Sequence, residues 1–328
     1  MTSQITIIGL GQIGASIGLA LEAYKKDIYR VGHDKRMAIA KDAEKLGAID
    51  KMKRNLPNSV RDADIIILSL PFSEIRDTLK YIAEDVKEDA LILDTGVGKA
   101  AVQAWVEELL PAGPTYIGLA PVINPEYLYD EEFGLNAARK ELFENAPIMI
   151  AAPVSVSEAA FDAAVTLVRL IGSQPLFTDM LEVDGLMASA HLLPQLTAAA
   201  LTNTTMGGSG WSETRKIAGR AFVEATRPII HQEGGASLAE AAFANRQNLG
   251  FKLDEMIVSL QQIKSLLDAE DKDALQELLS AAGEGRANWQ VERNAANWLI
   301  AGEGQMAKLE LSSLTAQLFG FKQRKLKD

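Results

Sequence analysis

Short apolar runs rich in isoleucine, leucine and valine recur along the first half of the chain. Helical segments lie between them, so strands and helices are predicted to alternate. The runs lie at residues 5–8, 28–31, 64–70, 90–94, 115–119, 147–153 and 174–177. Because several runs are apolar throughout, they indicate strands buried on both faces of a parallel sheet. This alternation is typical of a doubly wound α/β domain.

From residue 184 onward the pattern is helical. Residues 185–202 are apolar on almost every side, which predicts a helix buried in a helical core or in a subunit interface. Residues 249–267 carry leucine, isoleucine and methionine at helical spacing and predict a long amphipathic helix. Residues 274–282 and 287–300 predict two further helices. The second half of the chain is therefore expected to be all-α.

A glycine-rich turn directly follows the first predicted strand and opens a helix. Its sequence, Gly9-Leu10-Gly11-Gln12-Ile13-Gly14, is the dinucleotide fingerprint in its required context. The first glycine permits the tight turn, the second lets the backbone approach a pyrophosphate, and the third lets the helix pack on the strand. The helix N-terminus then offers free N–H donors to the phosphates. The alternative interpretation is a glycine turn that serves packing alone.

An acidic residue, Asp34, ends the second strand at about twenty residues beyond the fingerprint. Its carboxylate can accept hydrogen bonds from both ribose hydroxyls and would repel a 2′-phosphate, which favours NAD over NADP. Lys35 and Arg36 weaken that preference, because NADP sites often place a cation there. The residues predicted to bind the cofactor are Gly9, Leu10, Gly11, Gln12, Ile13, Gly14 and Asp34.

These patterns predict a Rossmann-type dinucleotide-binding domain in residues 1–178. An all-α domain for substrate binding and dimerisation is predicted in residues 179–328. A substrate would bind in a cleft between the two domains. The apolar helix at 185–202 and the amphipathic helix at 249–267 predict a homodimer built through the helical domain.

Composition narrows the class of protein further. The 328 residues suffice for two sizeable cores. The absence of cysteine excludes disulfides, thiolate nucleophiles and cysteine-based metal sites, and no metal site is predicted. A net charge of −11 and a pI near 5.0 argue against nucleic acid as a partner. Neither a membrane-length apolar run nor a signal-peptide pattern is present, so we expect no membrane association and a cytoplasmic protein.

Further motifs follow the fingerprint in a definite order. They are Asp94-Thr95-Gly96-Val97-Gly98-Lys99, Ile117-Gly118-Leu119-Ala120-Pro121, His191-Leu192-Leu193-Pro194, Thr214-Arg215-Lys216-Ile217-Ala218 and Ala244-Asn245-Arg246. In this order and spacing, the sequence resembles the prephenate and arogenate dehydrogenases of tyrosine biosynthesis. The resemblance covers nearly the whole chain.

That resemblance implies hydride transfer to NAD coupled to decarboxylation of a small anionic substrate. In the family, a histidine in a Gly-x-His-Pro segment takes the substrate's hydroxyl proton, and cationic side chains hold its carboxylates. This chain has Ala120 at the histidine position, and alanine can neither accept nor donate a proton. When the Ser-His-Leu-Pro motif is aligned on Pro194, its serine falls on His191 and its histidine on Leu192.

Three side chains are therefore candidates for the chemistry. His191, near the start of the apolar helix, is the best substitute acid–base group, and the alternative is a helix-terminal histidine bonded to backbone. Lys99 could bind a carboxylate or act as a base, or its ammonium could simply bond nearby carbonyls. Arg215 could hold a substrate carboxylate, or it could pair with Glu213 or another acid. His231 lies in residues 219–235, which resemble an insertion that could act as a lid or have no role.

Three functional hypotheses remain. The first is a prephenate- or arogenate-type dehydrogenase with altered acid–base residues. The second is an NAD-dependent dehydrogenase of a different hydroxy or amino acid. The third is a catalytically retired protein that binds a dinucleotide and dimerises. Fold and cofactor are common to all three, whereas Ala120 counts against the first, and Lys99 and Arg215 count against the third.

Overall fold

The computed structural model describes residues 2–230 and 234–296. The strands are β1 Ser3–Ile8, β2 Ile28–His33, β3 Lys51–Met52, β4 Ile65–Leu68, β5 Leu91–Asp94, β6 Thr115–Pro121, β7 Pro147–Ala151 and β8 Gln174–Thr178. The α-helices up to residue 187 are α1 Gln12–Ala20, α2 Met37–Leu46, α3 Leu56–Val60, α4 Phe72–Ile82, α5 Lys99–Leu109, α6 Glu158–Leu170 and α7 Met180–Met187. The later helices are α8 Leu193–Met206, α9 Trp211–Ile217, α10 Arg220–Thr226, α11 Gly234–Ala244, α12 Arg246–Asp268 and α13 Lys272–Ala295.

Within the described residues, the eight strands form one sheet in the order β3-β2-β1-β4-β5-β6-β7-β8. The strands pair in parallel except for β6 and β7, which are antiparallel. The strand order reverses between β1 and β4, where the carboxyl ends of the strands lie side by side. Ligands bind at such reversal points in doubly wound folds. The α/β fold class with a Rossmann-type N-terminal domain and an all-α C-terminal domain is thereby confirmed.

Two compact units divide the described chain. The first contains residues 2–183 and 292–296, and the second contains residues 184–291. The central strands of the first unit are apolar on both faces because helices cover both sides, and Ile5, Ile7, Ile67 and Leu93 are all fully buried.

The second unit is helical, with two differences from the predicted helices. The apolar stretch at 185–202 is not one α-helix, because a π-helical turn at Ala188–Leu192 separates α7 from α8. The helices predicted at 274–282 and 287–300 are wrong as separate elements, since α13 runs unbroken through residue 295 and residues 297–300 lie outside the described part. The amphipathic helix predicted at 249–267 is confirmed as α12.

Many large apolar side chains of the second unit are exposed in the single chain. They include Phe243, Phe251, Ile257, Val258, Leu260, Leu267, Leu279 and Val291. Among the described residues, no helix is both long and apolar enough to cross a bilayer.

Candidate functional site

The glycine turn lies at the carboxyl end of β1, next to the end of β4. Gly9 has a φ of +91°, and a side chain there would overlap the carbonyl oxygen of Ser69. A side chain at Gly14 would overlap the carbonyl oxygen of Gly9, so this position permits the close approach of α1 to the turn. Gly11 differs, because no described residue other than its two chain neighbours has an atom within 4 Å of the place where its Cβ would be. The first and third glycines therefore close the turn, while the second faces open space.

Helix α1 begins directly at this open position. Gly11 is its N-cap, and no side chain caps the first turn. The first turn also carries no acidic residue that would compete for its N–H groups. Leu10 is fully buried beneath the turn, whereas Gln12 and Ile13 are partly exposed. A helix N-terminus with free N–H donors beside an open glycine is a suitable site for a diphosphate.

Asp34 is held beside the glycine turn. One of its carboxylate oxygens accepts a hydrogen bond from the Leu10 N–H at 3.1 Å, and the other accepts from the Arg36 N–H at 2.8 Å. The side chain is nearly buried. Each carboxylate oxygen can accept a further bond, so the geometry leaves acceptor capacity for a ribose. Of the two cations that the sequence raised as features of an NADP site, Lys35 forms an ion pair with Glu74, and Arg36 places its Nε 3.8 Å from Asp34.

A buried ionic network lies two strands from the glycine turn, at the carboxyl end of β5. The ammonium of Lys99 is 2.5 Å from a carboxylate oxygen of Asp94 and also donates to the Asp94 carbonyl at 3.0 Å. Both side chains have no exposed surface. The Tyr116 hydroxyl donates to the same carboxylate at 3.2 Å, and the Gly96 N–H donates to the other carboxylate oxygen at 2.9 Å. The sequence motif indicates Lys99 as a candidate residue, but it does not indicate that Asp94 and Tyr116 are its partners.

Strand β6 carries Ala120 near its carboxyl end. Its methyl group is almost fully buried, and Ala120 is paired with Met149 of β7. Gly118 precedes it by two residues on the same face of the strand and is paired with Asp94. Position 120 therefore provides no acid–base group at this edge of the sheet.

The remaining predicted residues belong to the second unit. His191 is partly buried in the π-helical turn, and its backbone carbonyl accepts a hydrogen bond from the Gln195 side chain at 3.0 Å. π-Helical turns are rare and frequently mark functional sites. Arg215 is exposed on α9. Glu213, the acid that the sequence raised as an ion-pair partner for Arg215, pairs with Lys216 at 2.7 Å.

Two further predictions concern His231 and the segment 219–235 that resembles an insertion. His231 lies outside the described residues. The described parts of residues 219–235 form α10, a 3₁₀ turn at Arg227–Ile229 and the start of α11. Within the described ranges, no group of three or more His, Asp or Glu side chains is arranged to hold a metal ion.

Comparison with known proteins identifies two domain matches that follow one another along the chain. Residues 17–177 match the family model described as prephenate dehydrogenase, nucleotide-binding domain. Residues 179–281 match the model described as prephenate dehydrogenase, dimerization domain.

Relatives by sequence agree with these matches. The chain is 25% identical over 279 residues to the prephenate dehydrogenase of Bacillus subtilis (strain 168), covering 84% of this chain and 73% of the relative. It is 25% identical over 277 residues to the cyclohexadienyl dehydrogenase of Zymomonas mobilis, covering 83% of this chain and 91% of the relative.

Among solved structures, the chain is similar to an A. aeolicus prephenate dehydrogenase in complex with hydroxyphenyl propionate and NAD⁺. The TM-score is 0.76 at 20% identity, with 88% of this chain and 98% of that chain covered. The Synechocystis arogenate dehydrogenase has a TM-score of 0.67 at 21% identity, with 87% and 99% covered. At these identities the likeness establishes the fold.

Proposed function

The chain belongs to the prephenate dehydrogenase family, and from this premise we propose that it is an NAD-dependent oxidoreductase acting on a small carboxylated substrate of prephenate or arogenate type. The observation that carries the proposal is the glycine turn with Asp34 bonded to its Leu10 N–H. An open glycine, an uncapped helix N-terminus and a carboxylate thus occur together at one end of the sheet.

The same geometry favours NAD over NADP. The Asp34 carboxylate would repel a 2′-phosphate, and of the two neighbouring cations that could offset that repulsion, Lys35 is paired with Glu74. The other, Arg36, lies with its Nε 3.8 Å from Asp34 itself. When bound, NAD would supply the hydride acceptor. The residues proposed to hold it are Gly9, Leu10, Gly11, Gln12, Ile13, Gly14 and Asp34.

The chain's own acid–base chemistry needs a group other than residue 120. We assign this role to His191, because an imidazole titrates near neutral pH and this one lies in a π-helical turn. Arg215 is proposed to hold a substrate carboxylate, since its guanidinium is exposed and forms no ion pair within the described residues. The direct catalytic role predicted for Lys99 remains a prediction, and its ammonium would have to leave Asp94 to contact a substrate.

A homodimer through the helical unit is part of the same proposal. The matched C-terminal model is described as a dimerization domain, and α12 exposes Phe251, Val258 and Leu260 in the single chain. Apolar side chains gathered on one unit are typical of a surface that another protein covers.

The decisive experiment is an assay for NADH production with prephenate, arogenate and a panel of hydroxy and amino acids. We expect turnover with prephenate or arogenate, and a hundred- to ten-thousand-fold lower rate, roughly the contribution of a general base, for His191→Ala. Unchanged activity in His191→Ala would reject the assigned base. Ser259→Ala on α12 is the control and should keep the wild-type rate, because its exposed hydroxyl bonds the Glu255 carbonyl of the same helix.

A second candidate is a catalytically retired dinucleotide-binding dimer, which Ala120 favours. In that case the wild type would bind NADH saturably without turnover on any substrate of the panel. Activity appearing only in Ala120→His would indicate that the ancestral reaction has been lost. Turnover by the wild type on a different hydroxy or amino acid would instead identify a changed substrate.

A further inference from the structure

The buried network of Asp94, Lys99 and Tyr116 has no role in the chemistry proposed above. Asp94 is the last residue of β5, and Lys99 is the first residue of α5. The turn that connects them, residues 95–98, lies at the carboxyl edge of the sheet. A lysine and an aspartate without any exposed surface are unusual, because desolvating both charges is costly. Apolar side chains of similar size often stabilise a core as well as a buried ion pair does. The pair therefore calls for an explanation beyond stability.

The contacts of Asp94 connect both ends of the turn. One carboxylate oxygen accepts a hydrogen bond from the Lys99 ammonium, and the other accepts a hydrogen bond from the Gly96 N–H. The ammonium also donates a hydrogen bond to the Asp94 carbonyl. Asp94, directly before the turn, and Lys99, directly after it, are therefore joined to each other by hydrogen bonds. The Tyr116 hydroxyl reaches the network from the neighbouring strand β6.

Two glycines near the turn leave space for the lysine and for the Phe72 ring. A Cβ at Gly118 would come within 2.7 Å of the Lys99 Cδ, so the glycine makes room for the lysine stem. Gly98 has a φ of +74°, and a Cβ there would come within 2.6 Å of the Phe72 ring. Gly98 thus permits the backbone path of the turn, and Gly118 leaves space for the lysine whose ion pair holds that turn.

We propose that Asp94, Lys99 and Tyr116 act as positioning residues that fix the 95–98 turn for the second nucleotide of a bound dinucleotide. This inference rests on the proposed cofactor use. In a doubly wound sheet, one βαβ half serves each mononucleotide. The first half carries the glycine turn and Asp34, whereas the 95–98 turn follows β5 in the second half. Loss of the network should therefore weaken the binding of the second nucleotide and leave the binding of the adenosine half unchanged.

The test compares two ligands by isothermal titration calorimetry. NADH contacts both halves of the site, and ADP probes the adenosine half alone. For the double variant Asp94→Asn with Lys99→Met, which leaves no lone buried charge, we expect NADH affinity to fall about tenfold while ADP affinity stays within about twofold. Tyr116→Phe removes only a hydroxyl and should shift NADH affinity in the same direction by about threefold, in a chain that still folds.

The control is a second ion pair of the same unit, formed by the buried Arg30 and the partly buried Asp50 at 2.6 Å. Arg30→Met with Asp50→Asn should lower the melting temperature without changing the ratio of NADH to ADP affinity. Equal losses for both ligands in the Asp94 and Lys99 variant, or no loss for either, would overturn the positioning role while the cofactor proposal stands. Failure of the wild type to bind NADH would overturn both.

Discussion

The two compact units differ in what they bury and what they expose. The first unit buries charged side chains against ionic partners, such as Lys99 with the buried Asp94 and Arg30 with the partly buried Asp50. The second exposes large apolar side chains along its helices, such as Phe251 and Val258. A buried charge requires a fixed partner, and an exposed apolar surface is typical of a protein interaction site. This difference agrees with the proposed homodimer, in which a second copy would cover apolar side chains of the helical unit.

The largest expected effect is the difference in stability loss between breaking a buried ion pair and breaking an exposed one. Lys99→Met should lower the free energy of unfolding by about 3–5 kcal/mol, because the Asp94 carboxylate would stay buried without its cation. Lys264→Met breaks an exposed pair with Asp268 on α12 and should change stability little. Urea denaturation of both variants measures the difference. Similar losses in the two variants would contradict the contrast between the units.

A charge on the exposed apolar face of α12 should dissociate the dimer. Phe251 and Val258 are seven residues apart and lie on the same face of the helix. Burial of each such side chain contributes about 1.5–3 kcal/mol, so replacing both with glutamate should weaken association by at least about a hundredfold. Analytical ultracentrifugation at micromolar concentration should show a wild-type dimer and a monomeric double variant.

The matched control for the dimer is Val154→Glu. Val154 is fully exposed in the sheet unit, and its replacement should leave the sedimentation unchanged. A wild-type monomer would reject the proposed assembly. A double variant that remains dimeric would place the interface on another face.

The smallest effect concerns the pH dependence of the Arg30–Asp50 pair. Burial by itself raises the pKa of Asp50, but hydrogen bonds and charge attraction from Arg30, aided by Lys25, bring that pKa below its usual value. A depressed pKa means that the stabilisation is present above the unfolded value, about 3.9, and is lost as pH falls through the folded value.

Urea midpoints measured between neutral and acidic pH test this sign. The difference between wild type and Asp50→Asn should be constant near neutrality and should shrink below about pH 4. A difference that grows with acidification would contradict the assignment.

Much of the fold follows from local patterns in the sequence. Apolar runs of strand length predict strands, and a glycine turn between a strand and a helix predicts a dinucleotide site, since both signals depend on neighbours in the chain. The limits of such signals are visible in α13, where Gly283 and Gly285 suggest a break. A glycine costs a helix only about 1 kcal/mol, which is too little to end a helix of this length.

The sequence by itself determined the alternation of the longer strands with helices in the first half of the chain, the helical character of the second half, the glycine turn and the position of Asp34 at the end of β2. Only the tertiary structure decided that β7 runs antiparallel to β6, that a π-helical turn holds His191, and that Lys99 is buried against Asp94. The physical reason is that periodicity and turn chemistry act between near neighbours. Strand direction and burial instead depend on contacts between distant residues, such as Lys99 with Tyr116 and Gly118.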